Sequence, residues 1–269
     1  MWLALAQELA NDDTVETADA VVVWILIGGA FLAALVSIPV LIRHRGRGPA
    51  IERAATRSGL RYQEQDGPGL GRLRFDLLVP SNGLNWNASH VVTSERHGAP
   101  AHGFDIRVWA EVEIQEDEGL GRSNRFSPEK ATKKTVRQTR AKPASGCIVN
   151  LPINAPRVMI VKENLASKML VALSRVDLDV ESDFFNRRYH VLTADKAFAQ
   201  QLLNARVLDL IVQGEGKMEF EFVGTKLLIR TPELEPELLP GLVTYGERFP
   251  DAISELVRDR YRNAAAFDA

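Results

Sequence analysis

The chain has a single cysteine, Cys147, among 269 residues. That excludes an intramolecular disulfide framework and any zinc site made of several thiolates. A surplus of charge is also missing, since 33 Lys and Arg stand against 35 Asp and Glu for a formal net charge of -2. A generic nucleic-acid binder draws its affinity from excess positive charge, so nucleic acid is not the expected partner and any electrostatic contact must be local. No internal repeat of about 20 to 50 residues is visible. The segment GPGLG at 67 to 71 lacks the G-x-G-x-x-G spacing of a dinucleotide fingerprint and has no Lys-Ser/Thr to complete a phosphate loop, so it reads as a turn. Without a catalytic or metal-ligand motif, no cofactor, no metal and no enzymatic activity are expected.

What is present is an uninterrupted apolar run from Val21 to Ile42, VVVWILIGGAFLAALVSIPVLI. About 20 apolar residues suffice to cross about 30 Å of hydrocarbon as a helix, so 21–42 is expected to span a membrane once. Residues 10–19 before it carry Asp12, Asp13, Glu16 and Asp19 and no basic residue, whereas Arg43, His44, Arg45 and Arg47 follow it. Basic residues next to a span stay on the cytoplasmic side, which places a short N-terminus, 1–20, outside and the main domain inside. A cleaved signal peptide would want a basic start and a shorter run, and neither is found. Gly29, Ala33 and Ser37 recur every four residues along the run, a small-residue ridge of the kind that lets two spanning helices meet as a homodimer.

The expected organisation is therefore an extracytoplasmic 1–20, a span at 21–42, a basic linker at 43–50 and a cytoplasmic α+β domain at 51–269. Roughly 220 residues beyond the span are enough for one sizeable core. Residues 51–58 read as a helix stopped by Gly59, and LRYQEQ as a strand. ASHVVTSERHG and FDIRVWAEVEIQ read as a β-hairpin joined at 97–103, and SGCIVNLPI and RVMIVK as two further strands bounded by proline, giving a mostly antiparallel sheet. ENLASKMLVALS has a helical apolar face, RRYHVLT reads as a strand, and a helix starts at Thr193 or Asp195. KMEFEF and TKLLIR, separated at Gly224, read as another hairpin with Glu219 and Glu221 facing water. Leu239, Leu242, Tyr245, Phe249, Ile253, Leu256 and Val257 predict one long amphipathic helix over 235–261, bent at Pro250.

Within this order, Glu181, Phe185, Asn186, Tyr189, Val191, Asp195, Ala199 and Leu203 form an acidic-Phe-Asn, strand, Asp, helix signature. Over roughly residues 85–262 the chain resembles a group of uncharacterised bacterial single-span membrane proteins with a cytoplasmic α+β domain. The resemblance implies a membrane protein and supplies no catalytic residue. In physical terms the signature reads as a folding signature: Phe185 and Tyr189 suit a core, Asn186 suits a cap or turn, and Asp195 can accept hydrogen bonds from the first N–H groups of its helix.

The segment 117–143 reads as a basic insertion between strands. Arg122, Arg125, Lys130, Lys133, Lys134, Arg137, Arg140 and Lys142 are opposed inside 122–142 by Glu129 alone. Together with Arg43, Arg45 and Arg47 they are the candidate contacts for anionic lipid headgroups, each basic residue near an anionic surface contributing about 1 kcal/mol. Ser127, Thr132, Thr135 and Thr139 interrupt the run, and phosphorylation there would weaken such a contact. Phe126 is its one aromatic, which disfavours a single-strand binding platform. The expected function is a membrane-tethered, non-enzymatic domain that engages a protein partner or the anionic leaflet. The alternative is an enzyme whose site assembles from dispersed residues around Cys147 or the hairpin histidines His90, His97 and His102 with Glu95, although their spacing matches no zinc pattern and Cys147 reads as a small buried hydrophobe.

Overall fold

The computed structural model describes residues 46–78, 84–95, 100–115, 133–139, 142–162, 175–176 and 182–262. The predicted span, the predicted helix at 163–174 and most of the basic segment lie outside them. No helix among the described residues is long and apolar enough to cross a membrane. The chain divides into two compact units, Met1–Pro49 and Ala50–Ala269. Helix α1 occupies 46–57, so helical structure already begins inside the segment read as a linker. Its end follows the sequence: Gly59 takes φ 68, which lets the Leu60 N–H reach back to the Ala55 carbonyl at 2.9 Å.

The second unit is a mixed α+β fold on a mostly antiparallel, eight-stranded sheet. Strands β1 (Arg61–Gln65), β2 (Leu84–Ser94) and β3 (Ala101–Gln115) follow one another as antiparallel neighbours. The first half of β5 (Ala144–Val161) continues beside β3, while β4 (Lys133–Thr139) pairs with the far end of β3. The second half of β5 carries β7 (His190–Thr193), which pairs with the short β6 (Arg175–Val176). Strand β8 (Glu219–Pro232) runs along the other edge of β5 over both halves.

Two expected pairs of separate strands, one of them read as a hairpin, are corrected here. SGCIVNLPI and RVMIVK are one strand, β5, and KMEFEF and TKLLIR are one strand, β8, from Glu219 to Pro232. Gly224 does adopt a left-handed φ of 55, but it stands opposite Ala155 where the β5–β8 register shifts on either side. The glycine therefore lets the pair accommodate an irregularity instead of reversing the chain. Each half of β8 finds its partner in β5, from Cys147↔Ile229 to Ile160↔Phe220, which a local hairpin would forfeit.

Side chains alternate between two cores. Cys147, Val149, Leu151, Phe220, Phe222, Leu227 and Ile229 point to the first face, where the helices pack. Phe104, Ile106, Ile148, Met159, Val161, Leu192 and Leu228 point to the second. A segment without regular strand structure, 66–78, covers that second face with the buried Leu70, Phe75, Leu77 and Leu78, each such side chain contributing about 1.5–3 kcal/mol when removed from water. It contains the 3-10 turn Leu70–Arg72 and replaces the strand expected of RLRFDLLVP. Asp66 initiates it, accepting from Leu70 N and Gly71 N, both at 2.7 Å.

The first-face helices are short and separately capped. Ser182 caps α2 (Asp183–Arg188), Asp195 caps α3 (Lys196–Leu202) and Asn204 caps α4 (Ala205–Gln213). The long C-terminal helix expected over 235–261 is instead a 3-10 turn, Pro236–Leu238, followed by α5 (Leu239–Gly246), α6 (Phe249–Ala252) and α7 (Glu255–Arg260). Pro250 enters the first turn of α6 and Ser254 caps α7 by accepting from Val257 N, so the proline and the cap divide the amphipathic run. The break turns Leu256 out to 68% exposure while Leu239, Leu242, Phe249, Ile253 and Val257 stay buried.

Candidate functional site

The basic stretch is only partly loop. Residues Lys133–Thr139 form β4, in register with Trp109–Gln115 of β3: Glu111 stands opposite Arg137, Val112 opposite Val136 and Gln115 opposite Lys133. Strand β2 reaches β3 only as far as Ala110, so from Glu111 onward the described pairing of β3 is with β4 alone. Lys133, Lys134 and Arg137 thus belong to a two-stranded ribbon that extends past the main sheet, and Lys142 is exposed where the chain enters β5. Arg122, Arg125, Lys130 and Arg140 lie outside the described residues, as do Arg43, Arg45, Gly29, Ala33, Ser37 and the phosphorylation candidates Ser127 and Thr132. Arg47 falls in α1 and is buried, with 6% of its surface exposed.

Glu219 and Glu221 do not face water. They share a strand face, as alternation requires, but it is the face covered by 66–78. Glu219 pairs with Arg230 at 2.7 Å. Glu221 is fully buried and accepts from Asp76 N at 3.1 Å and Leu77 N at 2.9 Å. Arg157 of β5 lies 3.3 Å from it and donates to the Asp76 carboxylate at 2.7 Å. Burial pushes Glu221 up to about 7, against the two backbone donors and Arg157, which favour its charged form. Sequence alternation identified the shared face but could not reveal that a covering segment 144 residues away would bury it. This cluster fastens the cover to the sheet and lies beneath it; the arrangement is structural.

The hairpin histidines take separate roles. His90 sits at the irregularity in β2 with φ 54, and its Nδ1 is 2.9 Å from the Tyr62 hydroxyl. His102 lies across from Thr93, whose Oγ1 is 3.0 Å from His102 Nδ1. Burial holds His102 below the ordinary imidazole range, and Lys226 adds to that effect. Glu95 is committed to an ion pair with Arg61, and His97 lies outside the described residues. Cys147 is fully buried beneath α5, and burial, then Glu247, pushes its thiol upward, the opposite of what a nucleophile needs. No group of three or more His, Cys, Asp or Glu among the described residues is arranged to hold a metal ion.

The signature residues of the chain order serve the fold. Phe185, Tyr189, Val191, Ala199 and Leu203 are buried, and Asp195 Oδ1 accepts from Phe198 N at 2.9 Å. The cap of α2 is Ser182, however, and Asn186 lies within the helix, its N–H donating to the Ser182 carbonyl. Glu181 is outside the described residues. An open groove of about 390 Å³ runs between α4 and α6, with Arg206, Asp209, Gln213, Arg248 and Asp251 on its walls. Arg248 donates to Gln213 Oε1 at 2.8 Å, and the mixed charge of the walls favours no single ligand.

No protein-family model matches the chain, and no curated protein matches it in sequence. Among solved structures, it is similar to the crystal structure of the mycobacterial trehalose monomycolate transport factor A, TtfA, at 13% identity and a TM-score of 0.46, covering 80% of this chain and 96% of that one. A likeness of that degree carries no argument about what this chain does.

Proposed function

We propose that the protein is a single-pass cell-membrane protein whose cytoplasmic α+β domain is a non-enzymatic interaction module for a protein partner or for the anionic inner leaflet. The observation that carries this reading is the charge-free run Val21–Ile42 with acidic residues on one side and Arg43, Arg45 and Arg47 on the other. The second basic segment, 122–142, supports the leaflet contact, because its cations add to those at the inner end of the span. The small-residue ridge Gly29, Ala33 and Ser37 is the proposed homodimer seam. The buried thiol of Cys147 and the separate engagements of His90 and His102 weigh against the alternative of an enzyme built around them.

Membrane fractionation tests the tether. The full chain should stay with membranes through alkaline extraction, whereas a variant lacking 21–42 should be released; release of the full chain would refute it. For the leaflet contact, flotation with vesicles should depend on anionic lipid, and removal of 122–142 should weaken it. Undiminished flotation of that deletion would remove the leaflet half of the proposal.

A further inference from the structure

The second sheet face carries, beside its apolar core, a row of polar residues that the linear sequence scatters. Arg61 of β1 stands opposite Thr93 of β2, and Thr93 opposite His102 of β3. His102 is opposite Ile148 of β5; two residues on, and therefore on the same face, is Asn150, which stands opposite Lys226 of β8. Five adjacent strands thus contribute Arg61, Thr93, His102, Asn150 and Lys226 to one band. Phe104 and Leu228, each two residues from a member of the band, lie in the second-face core and fix its direction.

This band is short of negative charge. Lys226 donates to the neutral Asn150 Oδ1 and has no carboxylate partner among the described residues; burial alone holds it below the ordinary lysine range. His102 uses Nδ1 toward Thr93, leaving its other ring nitrogen uncommitted in that contact. Three charged groups act on His102: Lys226 and Arg61 disfavour its protonated form and Asp66 favours it. Arg61 is exposed and paired with Glu95, and Asp66 is occupied by the backbone of Leu70 and Gly71. A half-buried cation and a half-buried imidazole share one sheet face, and the acid that acts on the imidazole, Asp66, is already committed to backbone N–H groups; an incoming anion completes such an arrangement.

We propose that Lys226 and His102 bind a phosphoryl group, with Thr93 and Asn150 holding the two side chains in place. The group would come from inorganic or small-molecule phosphate or from a phospholipid headgroup. The site does not rest on the tether reading and stands if the domain never touches a bilayer.

Histidine-ring NMR of the full chain in non-ionic detergent tests it, with His102→Gln assigning the resonance. Inorganic phosphate should move the His102 signal and raise its titration midpoint, because a bound anion stabilises the imidazolium, while chloride at equal ionic strength should not. Lys226→Met should weaken the phosphate response by about tenfold or more, and Lys226→Arg should retain it. Lys226→Gln, which keeps a polar group beside Asn150, is the second charge-removing variant should the methionine disturb folding. A second arm places the full chain in nanodiscs without added phosphate. A His102 shift with phosphatidylglycerol assigns the headgroup as the source, and a shift only on adding phosphate assigns the soluble anion. A His102 signal unmoved in both arms, an equal response to chloride, or an unchanged titration in the charge-removing variants would overturn the site.

Discussion

Glu221 is a carboxyl whose ionisation the fold resists. It is fully buried, and its carboxyl is pushed from 4.5 up to about 7. Between those values the unfolded chain releases this proton while the folded chain keeps it, so stability from this group is present at low pH and is lost as pH rises through about 7. Glu221→Gln removes the titration. The stability of the native protein relative to that variant should fall by roughly 2.5 kcal/mol between about pH 5 and pH 8 in urea unfolding. A pH-independent difference would show that Glu221 is ionised throughout. Cys147 gives a second test at this scale. Its burial predicts that an aromatic disulfide reagent reacts only as fast as the protein unfolds, and rapid reaction of the native protein would revive the nucleophile reading.

At the scale of elements, glycine positions report how closely helix and sheet meet. A Cβ on Gly103 of β3 would lie 2.6 Å from Val243 Cγ2 of α5, and one on Gly246 would lie 2.9 Å from Cys147 Sγ. Gly103→Ala should therefore lower stability by about 1–3 kcal/mol in chemical unfolding, since Val243 is branched at Cβ and has little freedom to move aside. Gly224 tests a different point. Its φ of 55 strains any L side chain although a Cβ there would meet only Asn154 Oδ1, at an ordinary 3.7 Å, so Gly224→Ala should cost about 1–2 kcal/mol and Gly224→Asn less. The same glycine shows where sequence pattern ran out. Alternation of Met218, Phe220 and Phe222 correctly gave a strand and its buried face, but a glycine between two alternating runs is equally compatible with a reversal and with a bulge. The distant partner β5 decides between them, and pairing at that separation leaves no local mark. Caps were more legible, because Asp195 acts within three residues of itself.

At the scale of the whole molecule, the α+β class and antiparallel sheet were readable from strand alternation, whereas the two-faced burial was not. The segment 66–78 has a short and weak apolar pattern, yet it covers the apolar part of a sheet face and thereby makes Glu221 internal. The band Arg61, Thr93, His102, Asn150 and Lys226 was equally hidden, because each member comes from a different strand and no motif spacing joins them. The proposed placement has the run 21–42 crossing the membrane with this domain on its cytoplasmic side. Cysteine labelling with a membrane-impermeant maleimide in intact cells tests it most directly, and the burial of Cys147 keeps the native background silent. Asp12→Cys should label without permeabilisation, and Asp259→Cys, at an exposed position of α7, should label only after it. Labelling of Asp259→Cys in intact cells, with Asp12→Cys protected, would contradict the proposed orientation.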